Sequence, residues 1–214
     1  DYYVLNGEKT FISGAGATDV LVVMARTGAA GPKGISAFVV DAHSDGIEYG
    51  KNEHKMGWKA QPTRTISFKN VKVPAENLIG EEGQGFRIAM KGLDGGRINI
   101  GICAVGTAQS ALETATNYVQ ERSQFGSPIA SLQSVQFKLA DMLTQTITAR
   151  QMPYLAANKV DNQDSQASTY CAMAKRLSTD LCFDVANQAL QLHGGYGYLN
   201  EYPLERHVRD LRVH

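Results

Sequence analysis

Glu81-Glu82-Gly83-Gln84-Gly85-Phe86 separates two stretches of the chain that differ in their residue pattern. Before this segment, short runs of β-branched and aromatic residues alternate with Gly, Asp and Pro, which is typical of strands joined by turns. After it, apolar residues recur at helical spacing. The change predicts an α+β chain with two domains, residues 1–80 and 81–214.

The first domain is predicted to be an antiparallel β-barrel or sandwich. Its apolar runs recur at roughly 8–12 residues, a spacing that favours these folds over parallel βαβ units. Asn6-Gly7 predicts a tight hairpin between the first two runs, because both central positions of a type I′ turn need positive φ. The predicted strands are Tyr2–Leu5, Lys9–Ile12, Val20–Ala25, Ile35–Val40, Ile47–Tyr49 and Thr63–Val73.

The second domain is predicted to be an up-and-down helical bundle, because long helices with short connections are typical of that architecture. Gly194-Gly195 should end the third helix, since glycine adopts the left-handed conformation at little cost. Pro203 suits the first turn of a fourth helix. The three helices before it are expected at residues 86–122, 131–160 and 166–192.

Composition excludes several classes of function. Lys plus Arg and Asp plus Glu each number 21, so the formal net charge is zero, which argues against nucleic-acid binding. No apolar run approaches the roughly 20 residues that cross a bilayer. Cys103, Cys171 and Cys182 match no disulfide framework or zinc-ligand spacing, so we expect free structural thiols and no metal site. Because the chain starts without Met and stops at His214 in helical sequence, we expect a longer protein truncated at both ends.

Six clusters marked by glycine or arginine are more specific than the overall pattern, although no dinucleotide fingerprint, P-loop or hydrolase motif is present. In chain order they are Asn6-Gly7-Glu8-Lys9, Glu82–Phe86, Asp94–Arg97, Arg122–Gly126, Gln191–Gly197 and Glu201–Arg206. Together with Phe11–Gly16, they resemble the acyl-CoA dehydrogenase family over the whole chain, and most closely its short, branched-chain members of the isobutyryl-CoA type. The resemblance implies the middle β domain and most of the C-terminal helical domain of that family.

The resemblance also implies an activity. A family enzyme introduces an α,β double bond into an acyl-CoA, with a carboxylate that removes the α-proton and FAD that accepts the β-hydride at N5. It further implies an acyl-CoA substrate, an electron-transfer flavoprotein as electron acceptor, a homotetramer, and a mitochondrial matrix or bacterial cytoplasmic location. The alternatives are an acyl-CoA oxidase, a nitroalkane-oxidising flavoenzyme, or a non-enzymatic relative that binds nucleic acid or a protein.

The residues that bind FAD follow from the resemblance. Phe11, Ile12 and Ser13 would lie against the flavin ring, with the Ser13 hydroxyl near N5 and O4, although the family often has Trp at the position of Phe11. Arg122 would bind the FAD pyrophosphate of a neighbouring subunit, a role that suits the planar guanidinium. Near the adenine and ribose the resemblance places Phe125, Leu132, Gln133, Gln191, Leu192, His193, Gly194 and Gly195.

Each of these segments has an ordinary structural explanation as well. Phe11–Ser13 can be a core strand that ends in a polar turn, and Arg122 can be a solvated charge at a helix end. Gly194-Gly195 can end a helix without any ligand. We expect His193 to be a hydrogen-bonded structural residue rather than a base or a metal ligand.

The substrate and the base occupy different segments in the family. Asp94, Gly95, Gly96 and Arg97 match the segment that contacts the acyl-CoA. Two glycines within a helix cost about 2 kcal/mol relative to Ala, which indicates either room for a ligand or a close crossing of helices. The general base of isobutyryl-type members is a Glu shortly after the segment that corresponds to Arg209–His214. No catalytic residue is therefore assigned here, and we expect the 214 residues alone to be inactive.

Overall fold

The computed structural model describes all 214 residues, and the chain separates into two compact units, Asp1–Leu93 and Asp94–His214. Each unit has a hydrophobic core of its own. A helix that begins at Gly85 lies across the division. The boundary predicted at residue 80 marks the change in residue pattern, and it stays a prediction. None of the helices is both long enough and apolar enough to cross a membrane.

Two three-stranded antiparallel sheets form the first unit and are layered as a sandwich, without closing into a barrel. The strand orders are β1-β5-β4 and β2-β3-β6. Both sheets contribute to one core, in which Phe38 and Val40 from β3 meet Val71 and Val73 from β5. The predicted sandwich is confirmed, and the strands are β1 (Tyr2–Ser13), β2 (Val20–Arg26), β3 (Ile35–Asp41), β4 (Ile47–Tyr49), β5 (Thr63–Pro74) and β6 (Leu78–Ile79).

The hairpin predicted at Asn6-Gly7 is wrong, because β1 continues through both residues. At this point two residues of β5 oppose the single Asn6, which forms a bulge. The side-chain Oδ1 of Asn6 accepts a hydrogen bond from the backbone N–H of Asn70 at 2.8 Å. Pairing with a strand that is distant in the sequence therefore overrides the local preference for a turn.

Four helices follow and confirm the predicted bundle, although α1 begins in the first unit. They are α1 (Gly85–Glu121), α2 (Gln133–Asp161), α3 (Ala167–Leu192) and α4 (Leu204–Leu211). Between α1 and α2 lies a small hairpin of β7 (Ser123–Gln124) and β8 (Ser127–Pro128), which the residue pattern did not predict. Pro203 lies directly before the first residue of α4, one position earlier than expected.

Helices α1 and α3 run side by side in the same direction. Contacts between them occur in the same order along both helices. Asp94 contacts Ser168 near the start, and Tyr118 contacts His193 at the end. Between them, Gly101 lies so near Ser178 that a Cβ at Gly101 would contact it. Helix α2 runs the opposite way, since Ala149 accepts a hydrogen bond from Ser178 while Lys138 donates one to Gln188 farther along α3. The three long helices therefore alternate in direction, as expected for an up-and-down bundle.

Small side chains fill the core of the bundle. The buried residues include Ala104, Ala108, Ala111 and Ala115 on α1 and Ala174, Ser178, Cys182, Ala186 and Ala189 on α3. Their size allows the helices to approach closely. Burial raises the pKa of the Cys182 thiol to about 12, so this cysteine is a packing residue and is not a nucleophile. All three cysteines are free.

Candidate functional site

A cleft of about 410 Å³ lies where the C-terminal ends of α1 and α3 meet. Its volume falls within the range of roughly 300–1,000 Å³ that is common for ligand sites. The hairpin after α1 and the turn after α3 complete its walls. Five of the residues predicted to bind the cofactor line this cleft: Arg122, Leu192, His193, Gly194 and Gly195.

Arg122 is held by its backbone, while its side chain stays available. Its N–H donates to the Tyr118 carbonyl at 2.9 Å, and its carbonyl accepts from the Ile129 N–H at 2.8 Å. The guanidinium carbon lies 5.5 Å from the centre of the Tyr196 ring, a cation–π contact. No hydrogen bond or ion pair within the chain uses its five N–H donors. The cleft therefore presents a positive fork that the chain itself does not neutralise.

Two glycines follow α3 and leave the adjoining wall of the cleft open. Gly194 has φ +57°, the left-handed conformation that ends a helix, as the sequence predicted. A Cβ at Gly194 or Gly195 would meet no other atom within 4 Å. Gly197 differs, because a Cβ there would lie 2.3 Å from the Leu190 carbonyl oxygen. Internal packing thus requires glycine at 197, whereas space outside the chain adjoins 194 and 195.

His193 is a buried structural side chain with one unusual atom. The residue is 2% exposed, and its Nδ1 lies 2.9 Å from the Ala189 carbonyl oxygen, so Nδ1 carries the proton and donates it. The ring stacks on Tyr118 with centroids 4.0 Å apart and planes 19° apart. Its Nε2 is buried without a hydrogen-bond partner. Burial lowers the pKa of His193, against the opposing effect of the hydrogen bond to Ala189.

Phe125 is exposed in a strained turn. Phe125 and Gly126 form the two-residue loop between β7 and β8, and their φ angles of +56° and +82° are those of a type I′ turn. Asn, Asp or Gly normally occupies the first of these positions. The Phe125 side chain is nevertheless 92% exposed, so no contact within the chain compensates for the strain.

Three further predicted residues lie near the same elements without lining the cleft. Leu132 precedes α2, Gln133 is its first residue, and Gln191 lies in the last turn of α3. All three are exposed. The structure therefore gathers only part of the predicted cofactor set around one cavity.

Phe11, Ile12 and Ser13 belong to the first unit and lie at a second bulge of β1. There Thr10 and Phe11 together oppose Thr65 of β5. Phe11 has φ +57° and is 73% exposed, whereas Ile12 packs against the core of the sandwich. Ser13 is exposed at the end of the strand. The bulge interrupts the regular alternation of inward and outward side chains along β1, and at this point the Phe11 ring is exposed.

Asp94 and Arg97 form an ion pair near the start of the second unit. Arg97 Nη1 donates to Asp94 Oδ1 at 2.7 Å, and Ser168 Oγ donates to the same oxygen at 3.0 Å. A Cβ at Gly95 or Gly96 would meet no atom within 4 Å, so a close helix crossing does not account for these glycines. The crossing lies instead at Gly101, where a Cβ would contact α2 and α3.

Sequence reasoning missed the aromatic residues around His193. Tyr118 stacks on it, and Tyr202 meets it edge to face with ring centroids 5.4 Å apart. Tyr196 lies 5.7 Å from Tyr202. One signal was available, because Tyr118 precedes Arg122 by four residues, a spacing that places two side chains on the same side of a helix. No group of three His, Cys, Asp or Glu side chains could hold a metal ion.

Comparison with known proteins gives a consistent result over both units. The family model "Acyl-CoA dehydrogenase, middle domain" matches residues 1–71, and the model "Acyl-CoA dehydrogenase, C-terminal domain" matches residues 83–214. A solved acyl-CoA dehydrogenase from Bacillus anthracis, complexed with FAD, is 34% identical with a TM-score of 0.91 and is matched over 99% of this chain and 39% of its own.

Two curated relatives are more similar in sequence. The mitochondrial isobutyryl-CoA dehydrogenase of Dictyostelium discoideum is 54% identical over 215 residues, and that of Bos taurus is 50% identical over 214 residues. Each match covers 100% of this chain but only 52% and 51% of those proteins, so the chain spans about half their length. On these matches, the chain belongs to the acyl-CoA dehydrogenase family.

Proposed function

We propose that the protein is an FAD-dependent acyl-CoA dehydrogenase that forms an α,β double bond in a short, branched-chain acyl-CoA such as isobutyryl-CoA. The names of the two curated relatives support this substrate class. One observation carries the cofactor assignment: the Arg122 guanidinium makes no hydrogen bond or ion pair within the chain and lies in a cleft beside two glycines with open space before them. This combination suits an anionic ligand that approaches the backbone closely.

The residues of the cleft fit the diphosphate and adenosine parts of FAD. The planar guanidinium of Arg122 can donate two parallel hydrogen bonds to pyrophosphate oxygens. Gly194 and Gly195 would let the adenosine lie against the main chain, and the exposed ring of Phe125 offers a surface for the adenine. Leu132, Gln133 and Gln191 are proposed to add contacts outside the cleft.

The flavin ring is proposed to lie against Phe11, Ile12 and Ser13. When bound, FAD supplies the acceptor for the hydride that leaves the β-carbon of the substrate. Phe11 would provide an aromatic face, and the Ser13 hydroxyl would donate a hydrogen bond to the ring. The positive φ of Phe11 supports this role, because strained residues persist where function requires their geometry.

The acyl-CoA is proposed to lie along Asp94–Arg97. Asp94 is fixed by two hydrogen bonds from Arg97 and Ser168, which orient this turn of α1. The missing side chains at Gly95 and Gly96 leave room on the helix surface. Their cost to the helix is not recovered by packing, which supports a role in binding.

Two partners are proposed from the family. Electrons would pass to an electron-transfer flavoprotein, in the mitochondrial matrix or the bacterial cytoplasm according to the source. The protein would be a homotetramer, in which Arg122 serves the FAD of a neighbouring copy. An exposed apolar face on α2 supports self-association: Leu143, Ile147 and Tyr154 recur at spacings of four and seven residues.

The reaction can be tested with the complete protein and the 214-residue chain in parallel. We expect isobutyryl-CoA to bleach the flavin of the complete protein under anaerobic conditions. Oxidation by an electron-transfer flavoprotein should then restore the colour much faster than oxygen does. The 214-residue chain should show no bleaching, because it spans about half the length of the curated relatives and none of its residues is assigned as the base. Bleaching by nitroalkanes alone, or rapid turnover with oxygen, would replace the proposal with one of the alternative flavoenzymes.

Replacement of Arg122 tests the phosphate contact. We expect Arg122→Ala to weaken FAD binding by about 10- to 100-fold, since it removes charge-assisted hydrogen bonds. Arg122→Lys should recover only part of the loss, because lysine lacks the bidentate fork. Equilibrium dialysis gives the dissociation constants, and Arg176→Ala, which removes an exposed arginine outside the cleft, is the matched control. Equal affinities for Arg122→Ala and wild type would disprove the contact.

Gly96→Ala separates stability from substrate binding. We expect it to raise the free energy of unfolding by about 1 kcal/mol, because alanine favours the helix and meets no obstruction. The new methyl group should at the same time weaken acyl-CoA binding in a calorimetric titration. Gly106→Ala is the control, since Gly106 also lies on α1 with open space. It should stabilise the helix equally and leave the affinity unchanged; the same affinity for both variants would count against a substrate role for Gly96.

Phe125→Asn should also stabilise the fold while it impairs the cofactor site. Asparagine tolerates the left-handed conformation better than phenylalanine, so we expect a gain of about 1 kcal/mol in the free energy of unfolding. Thermal denaturation of the FAD-free protein measures this gain. FAD affinity should fall, because the exposed aromatic surface is lost. A variant that is more stable and binds FAD as tightly as wild type would show that Phe125 has no part in binding.

The oligomeric state can be measured by light scattering on the complete protein with bound FAD. We expect the mass of a tetramer. Ile147→Glu should reduce that mass, since it places a charge in the middle of the apolar face of α2. Val160→Glu, at another exposed apolar residue of the same helix, is the comparison. A monomer that retains FAD would contradict the proposed use of Arg122 by a neighbouring copy.

A further inference from the structure

The buried Nε2 of His193 has no function in the site as described so far. The hydrogen bond from Nδ1 to the Ala189 carbonyl fixes the tautomer, so Nε2 carries a lone pair that faces no donor. Buried polar atoms are rarely left without a partner in proteins. This one belongs to a residue that lines the proposed FAD cleft and directly precedes Gly194.

His193 is tightly coupled to the turn after α3. It is the residue at which the helix ends, and Gly194 takes the left-handed conformation next to it. The Tyr118 hydroxyl donates to the His193 carbonyl at 3.4 Å, while the Tyr118 ring stacks on the imidazole. The side chain and the main chain of His193 are thus both held by α1. A shift of the imidazole would therefore move the backbone of Gly194.

The surroundings of His193 favour the neutral ring. The rings that contact it are those of Tyr118 on α1 and Tyr202 before α4. Tyr196 in the turn contacts Tyr202, and the Arg122 guanidinium lies over the Tyr196 ring. None of them is a carboxylate, and its own helix offers only the Ala189 carbonyl, which already accepts from Nδ1. A proton on Nε2 would therefore add a buried charge and a donor without an acceptor.

We propose that neutral His193 is a positioning residue that fixes the Gly194-Gly195 turn, and that protonation of its Nε2 displaces this turn and weakens FAD binding. The second half of the proposal rests on the proposed cofactor. The direction with pH follows from burial, which holds the pKa of His193 below its ordinary value of 6.5. The unfolded chain therefore takes up this proton before the folded chain does, and the ordered turn is lost as the pH falls below that value.

Measurements of FAD affinity between about pH 8 and pH 5 test the proposal on the full chain. We expect the affinity of wild type to fall about tenfold toward the acid end, a typical strength for coupling through one packed side chain. His193→Phe keeps a ring that can stack on Tyr118 but cannot take up a proton, so its affinity should be independent of pH in this range. His43→Asn removes an exposed histidine of the first unit and should retain the dependence of wild type.

NMR of the FAD-free wild-type chain provides a second readout. We expect imidazole nitrogen shifts that place the proton of His193 on Nδ1, with a protonation midpoint below the ordinary value of 6.5. The amide signals of Gly194 and Gly195 should shift with the midpoint of His193. This readout decides the role in the turn even where His193→Phe fails to fold.

The outcomes separate the two claims. A wild-type affinity that does not change with pH, a pH dependence that persists in His193→Phe, or glycine amides that ignore the His193 midpoint would overturn the positioning role. Absence of FAD binding by wild type at every pH would instead overturn the proposed cofactor. In that case, amide shifts of Gly194 and Gly195 that change with the protonation midpoint of His193 would still support its control of the turn.

Discussion

The parallel contact between α1 and α3 is the constraint on which the second unit depends. Buried alanines of both helices belong to one core, and contacts join the helices from Asp94 and Ser168 at one end to Tyr118 and His193 at the other. This contact brings two sequence motifs together that are about seventy residues apart in the chain. Without it, the guanidinium that follows α1 and the glycine turn that follows α3 would not share a cleft.

Local sequence was sufficient for most of the fold, because helices and their ends depend on nearby residues. The long helices follow from apolar spacing, and the end of α3 follows from Gly194. Asn6-Gly7 shows where local reasoning fails. Its turn preference is strong, but β1 pairs with β5 on both sides of Asn6, and the hydrogen bond between Asn6 and Asn70 bridges the bulge there. Pairing between distant strands cannot be read from the turn residues themselves.

The candidate site was predicted through the resemblance of short motifs to those of the acyl-CoA dehydrogenase family, and chemically distinctive residues mark these motifs. Arginine and paired glycines can be recognised in a sequence, and the structure places Arg122, Gly194 and Gly195 around one cavity. The tyrosines could not be recognised in this way, because Tyr118, Tyr196 and Tyr202 come from three different elements and have meaning only as a cluster. The bulge at Phe11 is similar, since its conformation depends on the register with β5.

Several residues impose a local cost that the chain does not recover internally. Gly95 and Gly96 weaken a helix without permitting any contact, and Phe11 and Phe125 hold aromatic rings in solvent at positive φ. Glycines such as Gly197, by contrast, are explained completely by the backbone packed against them. A loss of folding stability that no contact within the chain offsets is typical of functional sites, where a ligand or another subunit supplies the missing contact. Gly95, Gly96, Phe11 and Phe125 lie in segments assigned to the substrate and the cofactor, whereas Gly106 has the same open space on α1 and lies in none. Open space therefore supports a binding site only where a motif assigned to a ligand occupies the same position.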